Sequence, residues 1–322
     1  MGAAGQGGDA GEPPFAGDLL SAWGRRKVAV VGLGLVGGSW AGAVRPLVGV
    51  VLGCDVLAGA RRGARRRGLV EAAWAAPGSW LRECDLVVLA VPPGAMAGVA
   101  GRCLPHMKQG AILTDVCSVK GTVVEELVPM LQEHEVVYVP GHPLAGKERS
   151  GLDAACPGLF RGAPYVLCDP LPGGERGERA WQELAALVEG MGAHPLRVGA
   201  RDHDRLVAAA SHLPYLVAVA LARTLGAMEA AGVPATALAS TGFRDTTRVA
   251  LSPPGLWAEI LVRNPSLAEV AGLFLQDLSL LLEAIRARPD QLPSLLAEGE
   301  RVRRLVDPGH RTPASSGGGD GR

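Results

Sequence analysis

The sequence has few aromatic residues, no excess of either charge and no long apolar run. Phe, Trp and Tyr make up 4% of its 322 residues, and 32 basic side chains balance 32 acidic ones. A zero net charge gives no general attraction to nucleic acid or to anionic membranes. No stretch approaches the ~20 uninterrupted apolar residues of a membrane span, and the first residues lack the basic start and apolar core of a secretory signal. We therefore expect a cytoplasmic protein that binds neither nucleic acid nor membrane.

Cysteine and histidine are also sparse, and neither falls into a disulfide or metal-binding pattern. The six cysteines include no CxxC pair, and the seven histidines pair with neither cysteine nor one another at a usual zinc spacing. We expect free, buried thiols of the kind found in a reducing cytosol, and no metal site.

By composition the chain divides into four segments. Residues 1–25 and 307–322 are rich in small residues that bury little surface, so we expect disordered tails there. Residues 26–199 alternate short valine-rich runs with helical segments, which is typical of a doubly wound parallel sheet of the Rossmann type. The runs expected to form strands are 28–31, 48–54, 86–91, 111–116, 136–139, 165–168 and 195–198.

Residues 200–306 contain no strand-like run, and their apolar residues recur at helical spacing. We expect them to form an all-α C-terminal domain. Within this segment, residues 273–282 carry six leucines on more than one side of a helix. A helix that is apolar all round must be buried, so we expect a homodimer formed through this domain.

The first predicted strand runs directly into a glycine loop of the form G-x-G-x-x-G. The first glycine, Gly32, permits a tight turn, and the second, Gly34, lets the backbone approach a pyrophosphate. The third, Gly37, lets the following helix pack close to the strand. Leu35 and Val36 lie between them, at the helix N-terminus whose free N–H groups attract phosphate. The loop predicts a dinucleotide site.

Two further features indicate that the dinucleotide is NAD. Asp55 ends the second predicted strand, where a carboxylate accepts the ribose hydroxyls of NAD and repels the 2′-phosphate of NADP. Val91 and Pro92 end a later strand at the same edge of the sheet. Five arginines between positions 61 and 67 leave two alternatives open, a solvated basic face or a contact with an NADP phosphate.

Three other segments concentrate polar side chains: residues 115–120, 141–151 and 211–215. The first two follow strands, and ligands of an open parallel sheet lie beyond the carboxyl ends of its strands. Residues 141–147 also match the start of a phosphate-binding loop, G-x-x-x-x-G-K. We reject that interpretation because Pro143 interrupts the loop and Glu148 stands where Ser or Thr must bind Mg²⁺.

Four runs together resemble the prephenate/arogenate dehydrogenase family. They are Asp-Val-Cys-Ser-Val-Lys at 115–120, Gly-His-Pro-Leu-Ala-Gly-x-Glu-x-Ser-Gly at 141–151, Ser-His-Leu-Pro at 211–214, and Gly-Phe-Arg-Asp-Thr-Thr-Arg-Val-Ala at 242–250. They occur in that family's order, and with the glycine loop the resemblance spans about residues 28–306. It implies a Rossmann domain, a helical dimerisation domain and the NAD-dependent oxidative decarboxylation of a cyclohexadiene in tyrosine biosynthesis.

The resemblance also implies roles for individual residues. His142 matches the catalytic histidine that accepts the C4 hydroxyl proton, and we expect its pKa to lie near the ordinary ~6.5. Ser118 matches a serine that hydrogen-bonds the reacting hydroxyl and this histidine; it can equally be a helix cap. Arg248 matches the arginine that pairs with a substrate carboxylate, with an ion pair to a neighbouring residue as the alternative.

Further substrate contacts are expected from the interdomain cleft. Ser211 and His212 match a pair that lies near substrate and cofactor, although a histidine in an apolar helix can also be a core residue. Tyr215 stands where many members of the family have a second histidine. Glu148 lies on the loop of His142, where it can read the substrate side chain or brace the loop by pairing with Arg149.

The sequence leaves several functions open beside prephenate dehydrogenase. Arogenate, which carries an ammonium where prephenate carries a ketone, is the alternative substrate. A β-hydroxyacid-type dehydrogenase shares only the nucleotide half of the pattern. A catalytically inactive NAD-binding sensor would be expected to lack His142 or Arg248, and both are present.

Overall fold

The computed structural model of the chain describes residues 16–306. Its main sheet has six parallel strands in the order β3-β2-β1-β4-β5-β6, which is the Rossmann order. The sheet places the carboxyl ends of β1 and β4 at the point where the strand order reverses. The strands are β1 Lys27–Val31, β2 Val50–Cys54, β3 Ala72–Trp74, β4 Leu86–Leu89, β5 Ile112–Asp115 and β6 Val137–Val139.

The strands are valine-rich because both faces of the sheet are covered. Along β1, Val28 and Val30 lie in one hydrophobic core, whereas Ala29 and Val31 lie in the other. All four side chains are less than 5% exposed. The Rossmann-type fold predicted from the valine runs is confirmed, and of the six strands of this sheet only the short β3 was not expected.

A second sheet contains the predicted strands at 165–168 and 195–198. It consists of β7 Gly141–Pro143, β8 Pro164–Leu167 and β9 His194–Arg197. β7 runs antiparallel to β8, and His142 is in register with Val166. β7 packs closely on the end of β5, since a Cβ on Gly141 would lie 2.6 Å from the Asp115 carbonyl oxygen. Glycine at this position therefore brings His142 to the carboxyl edge of the main sheet.

The helices of the N-terminal part flank the sheet and are α1 Ala16–Trp23, α2 Leu35–Val44, α3 Ala58–Arg66, α4 Met96–Cys103, α5 Gly121–Leu131 and α6 Gly174–Gly190. The prediction of disorder for residues 1–25 is wrong for α1. Trp23 is fully buried, and its indole donates a hydrogen bond to the Glu183 carbonyl (2.9 Å). One buried tryptophan anchors a helix in a segment whose glycine content indicated a tail. Residues 1–15 and 307–322, for which we also predicted disordered tails, lie outside the described residues.

Strands give way to helices between Arg197 and Ala200. The helices are α7 Ala200–Val207, α8 Leu213–Ala230, α9 Thr241–Thr247, α10 Pro254–Arg263, α11 Ser266–Ala287 and α12 Leu292–Val306. A π-helical turn, Ala208–His212, joins α7 to α8. The all-α character of this part is confirmed. The chain forms two compact units, one ending at Leu267 and the other beginning at Ala268, so the domain boundary expected at 199–200 stays a prediction.

The helical run Ala200–Ala230 is long and apolar enough to span a membrane by length and composition, and 28% of its most apolar window is buried. Its first part nevertheless carries the polar side chains of His203, Asp204 and His212, all of which are buried and hydrogen-bonded within the first compact unit. We therefore interpret this run as a helix of the folded domain.

Candidate active site

The glycine loop has the shape that a dinucleotide requires. Gly32 has a φ of +96°, and a Cβ on it would overlap the Ala90 carbonyl group. A Cβ on Gly37 would overlap the carbonyl oxygen of Gly32, so α2 can begin this close to β1 only with glycine there. At Gly34, by contrast, a Cβ would meet no atom of the described residues within 4 Å, which leaves the backbone free to meet a ligand.

The loop opens into a cavity of about 480 Å³. Five of the residues expected to contact the cofactor line it: Gly32, Gly34, Asp55, Val91 and Pro92. Leu35 and Val36 begin α2 and are half-buried outside this lining. A cavity at the carboxyl edge of β1, β2 and β4, with a glycine-lined mouth, fits a dinucleotide.

Asp55 is held by the loop itself. One carboxylate oxygen accepts a hydrogen bond from the Leu33 N–H (2.7 Å), and the other accepts one from the Leu57 N–H (2.8 Å). Each oxygen keeps a further lone pair for a ribose hydroxyl. Arg61 donates to the carbonyl oxygens of Asp55 (2.7 Å) and Val56 (3.0 Å), so part of the basic segment braces this turn.

Arg67, at the other end of the basic segment, is also structural. Its guanidinium donates hydrogen bonds to the carbonyl oxygens of Leu152 and Ala155. Arg62, Arg65 and Arg66 are exposed. The segment is therefore a solvated face with a bracing residue at each end.

A buried ion pair lies beneath the candidate catalytic histidine. Lys120 and Asp115 are both fully buried and bonded to each other, and the Tyr138 hydroxyl donates to the second Asp115 oxygen (2.7 Å). Burial is the largest effect on the pKa of Lys120 and lowers it. The charge of Asp115, its hydrogen bond to the lysine and the nearby Cys117 and Cys168 together outweigh burial, so the net shift is upward. The lysine therefore stays charged inside the core. Removing one partner of such a pair costs about 3–5 kcal/mol.

His142 is 8% exposed and makes one side-chain hydrogen bond within the described residues. Its Nδ1 lies 2.8 Å from Nε2 of His203, and Nδ1 of His203 lies 2.9 Å from a carboxylate oxygen of Asp204. Burial lowers the pKa of His142 well below 6.5, with further lowering by His203 and Lys120. The expectation of an ordinary pKa for His142 is therefore wrong, because the sequence does not show burial.

Asp204 fixes this row of histidines to the start of α5. Its two oxygens accept hydrogen bonds from the backbone N–H groups of Lys120 (2.7 Å) and Gly121 (2.8 Å), where α5 begins. Burial alone would raise the pKa of Asp204, but the hydrogen bonds from His203 and from the two N–H groups lower it. Asp204 is therefore an ionised carboxylate that joins α7 to the Rossmann part.

His212, in the π-helical turn, belongs to the same cluster. The Asn264 side-chain N–H₂ donates to Nδ1 of His212 (3.0 Å) and to the carbonyl oxygen of Asp204 (2.8 Å). The Asn264 oxygen accepts from the Ser266 N–H (3.0 Å), which fixes the orientation of the amide. Nδ1 of His212 must then be the acceptor and Nε2 the protonated nitrogen.

Nε2 of His212 is buried and has no partner within the described residues. Burial lowers the pKa of His212 to about 4, so the ring is neutral at physiological pH. A buried N–H donor without an acceptor is costly unless a ligand supplies one. The ring also packs edge-on against Trp257, which stacks on Tyr215 at 3.9 Å. Tyr215 is thus part of an aromatic wall beside the cluster.

Arg248 and Glu148 form an ion pair with each other. Their side chains are 60% and 36% exposed, which places the pair at the surface. The sequence left open that Arg248 pairs with a neighbouring residue, and it does so here. It also left open that Glu148 pairs with Arg149; the partner of Glu148 is instead Arg248. An exposed pair of this kind contributes little to stability.

The structure does not bring two of the predicted site residues into hydrogen-bond contact with the cluster. Ser118 and Ser211 are both half-buried, and within residues 16–306 neither forms a side-chain hydrogen bond. The predicted bond between Ser118 and His142 is absent there; the hydrogen bond that His142 makes runs from Nδ1 to His203.

Three residues of the cluster were not predicted: His203, Asp204 and Asn264. For two of them the sequence held a signal: His203 and Asp204 lie at helical spacing on the same face of α7 as Val207, and that face is buried. Polar side chains at apolar positions of a helical period need buried partners.

Two family models match the chain: the nucleotide-binding domain of prephenate dehydrogenase over residues 41–196 and the dimerization domain of prephenate dehydrogenase over residues 199–298. A cyclohexadienyl dehydrogenase from Zymomonas mobilis is 34% identical over 291 residues, which cover 88% of this chain and 97% of that protein. The chain belongs to the prephenate dehydrogenase family. It is accordingly an oxidoreductase with a nucleotide-binding domain.

Solved structures of the family agree with this assignment. The prephenate dehydrogenase of Aquifex aeolicus, in complex with hydroxyphenyl propionate and NAD⁺, superposes with a TM-score of 0.81 at 28% identity and covers 88% of this chain and 98% of its own. The arogenate dehydrogenase of Synechocystis gives a TM-score of 0.75 at 31% identity, over 87% of this chain and 99% of its own.

Proposed function

We propose that the chain is a prephenate dehydrogenase, which converts prephenate to 4-hydroxyphenylpyruvate, CO₂ and NADH in tyrosine biosynthesis. The observation that carries the proposal is the His142–His203–Asp204 row at the carboxyl edge of a dinucleotide-binding sheet, with the second nitrogen of His142 free of hydrogen bonds to the described residues. Arogenate is the alternative substrate, since relatives of both names are similar to this chain.

Gly32, Gly34, Gly37 and Asp55 would hold the cofactor, by the close backbone approach and the carboxylate described above. The chemistry that NAD⁺ supplies when bound is the acceptance of a hydride from C4 of the substrate. The task of the protein is to position C4, to hold the carboxylates and to take the hydroxyl proton.

His142 takes the C4 hydroxyl proton at Nε2. The neutral ring that this requires is ensured by burial, which keeps the pKa of His142 well below 6.5. His212 donates its Nε2–H to a substrate oxygen, because that N–H is buried and unpartnered within the described residues. The stacked Tyr215 and Trp257 rings provide an apolar wall for the substrate ring.

Arg248 binds a substrate carboxylate by exchanging Glu148 for it. The guanidinium fork suits a carboxylate, and the Glu148 pair is exposed enough to open. Ser118 and Ser211 complete the pocket as donors to the bound substrate.

The deciding experiment follows NADH absorbance with prephenate and with arogenate at matched concentrations. We expect turnover with prephenate and a decrease of kcat on the order of 10²–10⁴-fold in His142→Asn. His194→Asn, at an exposed histidine, is the control. If neither prephenate nor arogenate gave NADH, the proposal would be refuted and an inactive NAD-binding protein would be favoured.

Glu148→Gln separates the two substrates. A carboxylate near the side chain favours the ammonium of arogenate and repels the carboxylate of prephenate, and its removal also frees Arg248. We expect the ratio of kcat/KM for arogenate to that for prephenate to fall at least threefold, which corresponds to roughly 0.7 kcal/mol and suits a partly screened pair. An unchanged ratio at full activity would show that Glu148 does not select the substrate.

We further propose a cytoplasmic homodimer formed through the C-terminal helices. Leucines of the second compact unit are exposed in the single chain, among them Leu273 (57%), Leu275 (59%) and Leu296 (59%). Apolar surface of this kind is typical of subunit interfaces. The free thiols, of which five are buried, are typical of a reducing compartment.

A further inference from the structure

His203 lies between Asp204 and His142, where it decides which nitrogen of His142 carries a proton. Nδ1 of His203 is 2.9 Å from the Asp204 carboxylate, and that carboxylate is ionised. A bare Nδ1 would set two lone pairs against each other, so Nδ1 of His203 must be protonated. Burial lowers the pKa of His203, which keeps the ring neutral and leaves its Nε2 unprotonated.

The same reasoning extends one ring further. An unprotonated Nε2 on His203 can only accept, so Nδ1 of His142, 2.8 Å away, must be the donor. A neutral His142 with its proton on Nδ1 has a bare Nε2. Without His203 the proton could occupy either nitrogen, and the form with Nε2–H cannot accept a proton from a substrate hydroxyl.

We propose that His203, oriented by Asp204, is a positioning residue that holds His142 in the tautomer able to act as a base. The inference rests on the proposed function. It assigns to His203 a role in the reaction without contact to the substrate.

The charges around the two rings suit this role. The titratable and charged groups facing the pair are Asp204 on α7, Asp115 at the end of β5, Lys120 directly before α5, and His212 in the π-helical turn. The charge of Lys120 lowers the pKa of both rings, which helps to keep His142 and His203 neutral, each with one protonated nitrogen. When His142 becomes cationic during turnover, its Nδ1–H still donates to His203, and the Asp204 carboxylate opposes the effect of Lys120.

Two amide substitutions at one position separate positioning from a structural role. His203→Gln keeps an acceptor oxygen near the place of Nε2, within reach of His142. His203→Asn is one carbon shorter; its amide can still donate to Asp204 but does not reach His142. Both variants are polar and uncharged, so effects of burial and packing are closely matched.

We expect kcat to fall on the order of 10²-fold in His203→Asn and less than about 10-fold in His203→Gln, with unchanged NADH affinity in a fluorescence titration. In a His142→Asn background, His203→Asn should change kcat by less than about twofold, since residues that act as a unit are not additive. Equal losses in both backgrounds, or equal losses with Asn and Gln, would overturn the positioning role.

A second measurement does not depend on turnover. Long-range ¹H–¹⁵N spectra of the cofactor-free protein with ¹⁵N-labelled histidine should show His142 with a protonated Nδ1 and a bare Nε2 in the wild type and in His203→Gln. In His203→Asn this preference should be lost. An unchanged His142 tautomer in His203→Asn would refute the inference alone. A His142→Asn variant with over half of wild-type kcat would refute the base in the proposed function, and with it the inference.

Discussion

The buried, neutral His212 should make folding sensitive to acid. Its pKa is lowered to about 4 by burial, against an ordinary value of ~6.5 in the unfolded chain. Between these values the unfolded chain binds a proton that the folded protein does not. Stability contributed by the neutral form is therefore fully present above pH ~6.5 and is lost as the pH falls toward 4.

The size of the effect follows from the two pKa values. One pKa unit corresponds to 1.36 kcal/mol. The titration of His212 alone therefore makes the free energy of unfolding about 2 kcal/mol lower at pH 5 than at pH 7. The side chain is 1% exposed, and solvent therefore reduces this figure little. His142 and His203 act in the same direction, since the pKa of each is also lowered.

Urea unfolding at pH 7 and pH 5, at one protein concentration, measures the difference. His212→Gln keeps a polar, uncharged side chain at this position and cannot titrate. We expect the loss of stability between pH 7 and pH 5 to be about 2 kcal/mol smaller in His212→Gln than in the wild type. His194→Gln, at an exposed histidine, should leave the loss unchanged. A His212→Gln variant with the wild-type pH dependence would refute the buried neutral state.

Four further outcomes are expected. Wild-type kcat/KM should favour NAD over NADP at least tenfold, and Asp55→Asn should narrow that preference; equal use of both cofactors would refute the role of Asp55. Arg248→Gln should weaken the binding of prephenate by about 1.5–3 kcal/mol, seen as a higher KM, and Arg248→Lys should restore binding only in part. An unchanged KM in Arg248→Gln would exclude Arg248 as the ligand of the substrate carboxylate. The kcat/KM profile should stay level as the pH falls through 6.5 and decline only below it, because burial lowers the pKa of His142; a decline centred at or above 6.5 would contradict this. Light scattering at micromolar concentration should give a dimer for the wild type and a smaller species for Leu275→Glu, whose position is 59% exposed in the single chain; a wild-type monomer would refute the interface.

The sequence predicted the central strands well because a strand buried on both faces must be apolar throughout. It did not predict β3, which has only three residues, or β7, which contains glycine and proline. The fold of both depends on neighbouring strands, through the pairing of β3 with β2 and of β7 with β8. Tertiary pairing overrides weak local preference in such short segments.

Residues with a fixed local geometry were predictable, and residues defined by long-range contacts were not. The glycine loop and Asp55 follow one another along a single β-α-β unit, so their spacing in sequence reports their geometry. His203 and Asn264 are 61 positions apart in sequence, and within residues 16–306 both form hydrogen bonds to Asp204. The pKa of His142 was mispredicted for the same reason, because its burial depends on elements distant in sequence.

Asp204 gives the two candidate site histidines opposite abilities. Its carboxylate accepts from His203, which leaves His142 with a bare Nε2, an acceptor. Its backbone carbonyl accepts from Asn264, whose amide then donates to Nδ1 of His212 and leaves that ring with a protonated Nε2, a donor. The tautomer of each ring is set by the hydrogen bond at its Nδ1. His142 and His212 could exchange roles only if the bonds from Asp204 through His203 and those through Asn264 were both reversed. Asp204, which the sequence pattern did not single out, therefore contributes to both tautomers: through His203 it favours a proton-accepting His142, and together with Asn264 and Ser266 it favours a hydrogen-bond-donating His212.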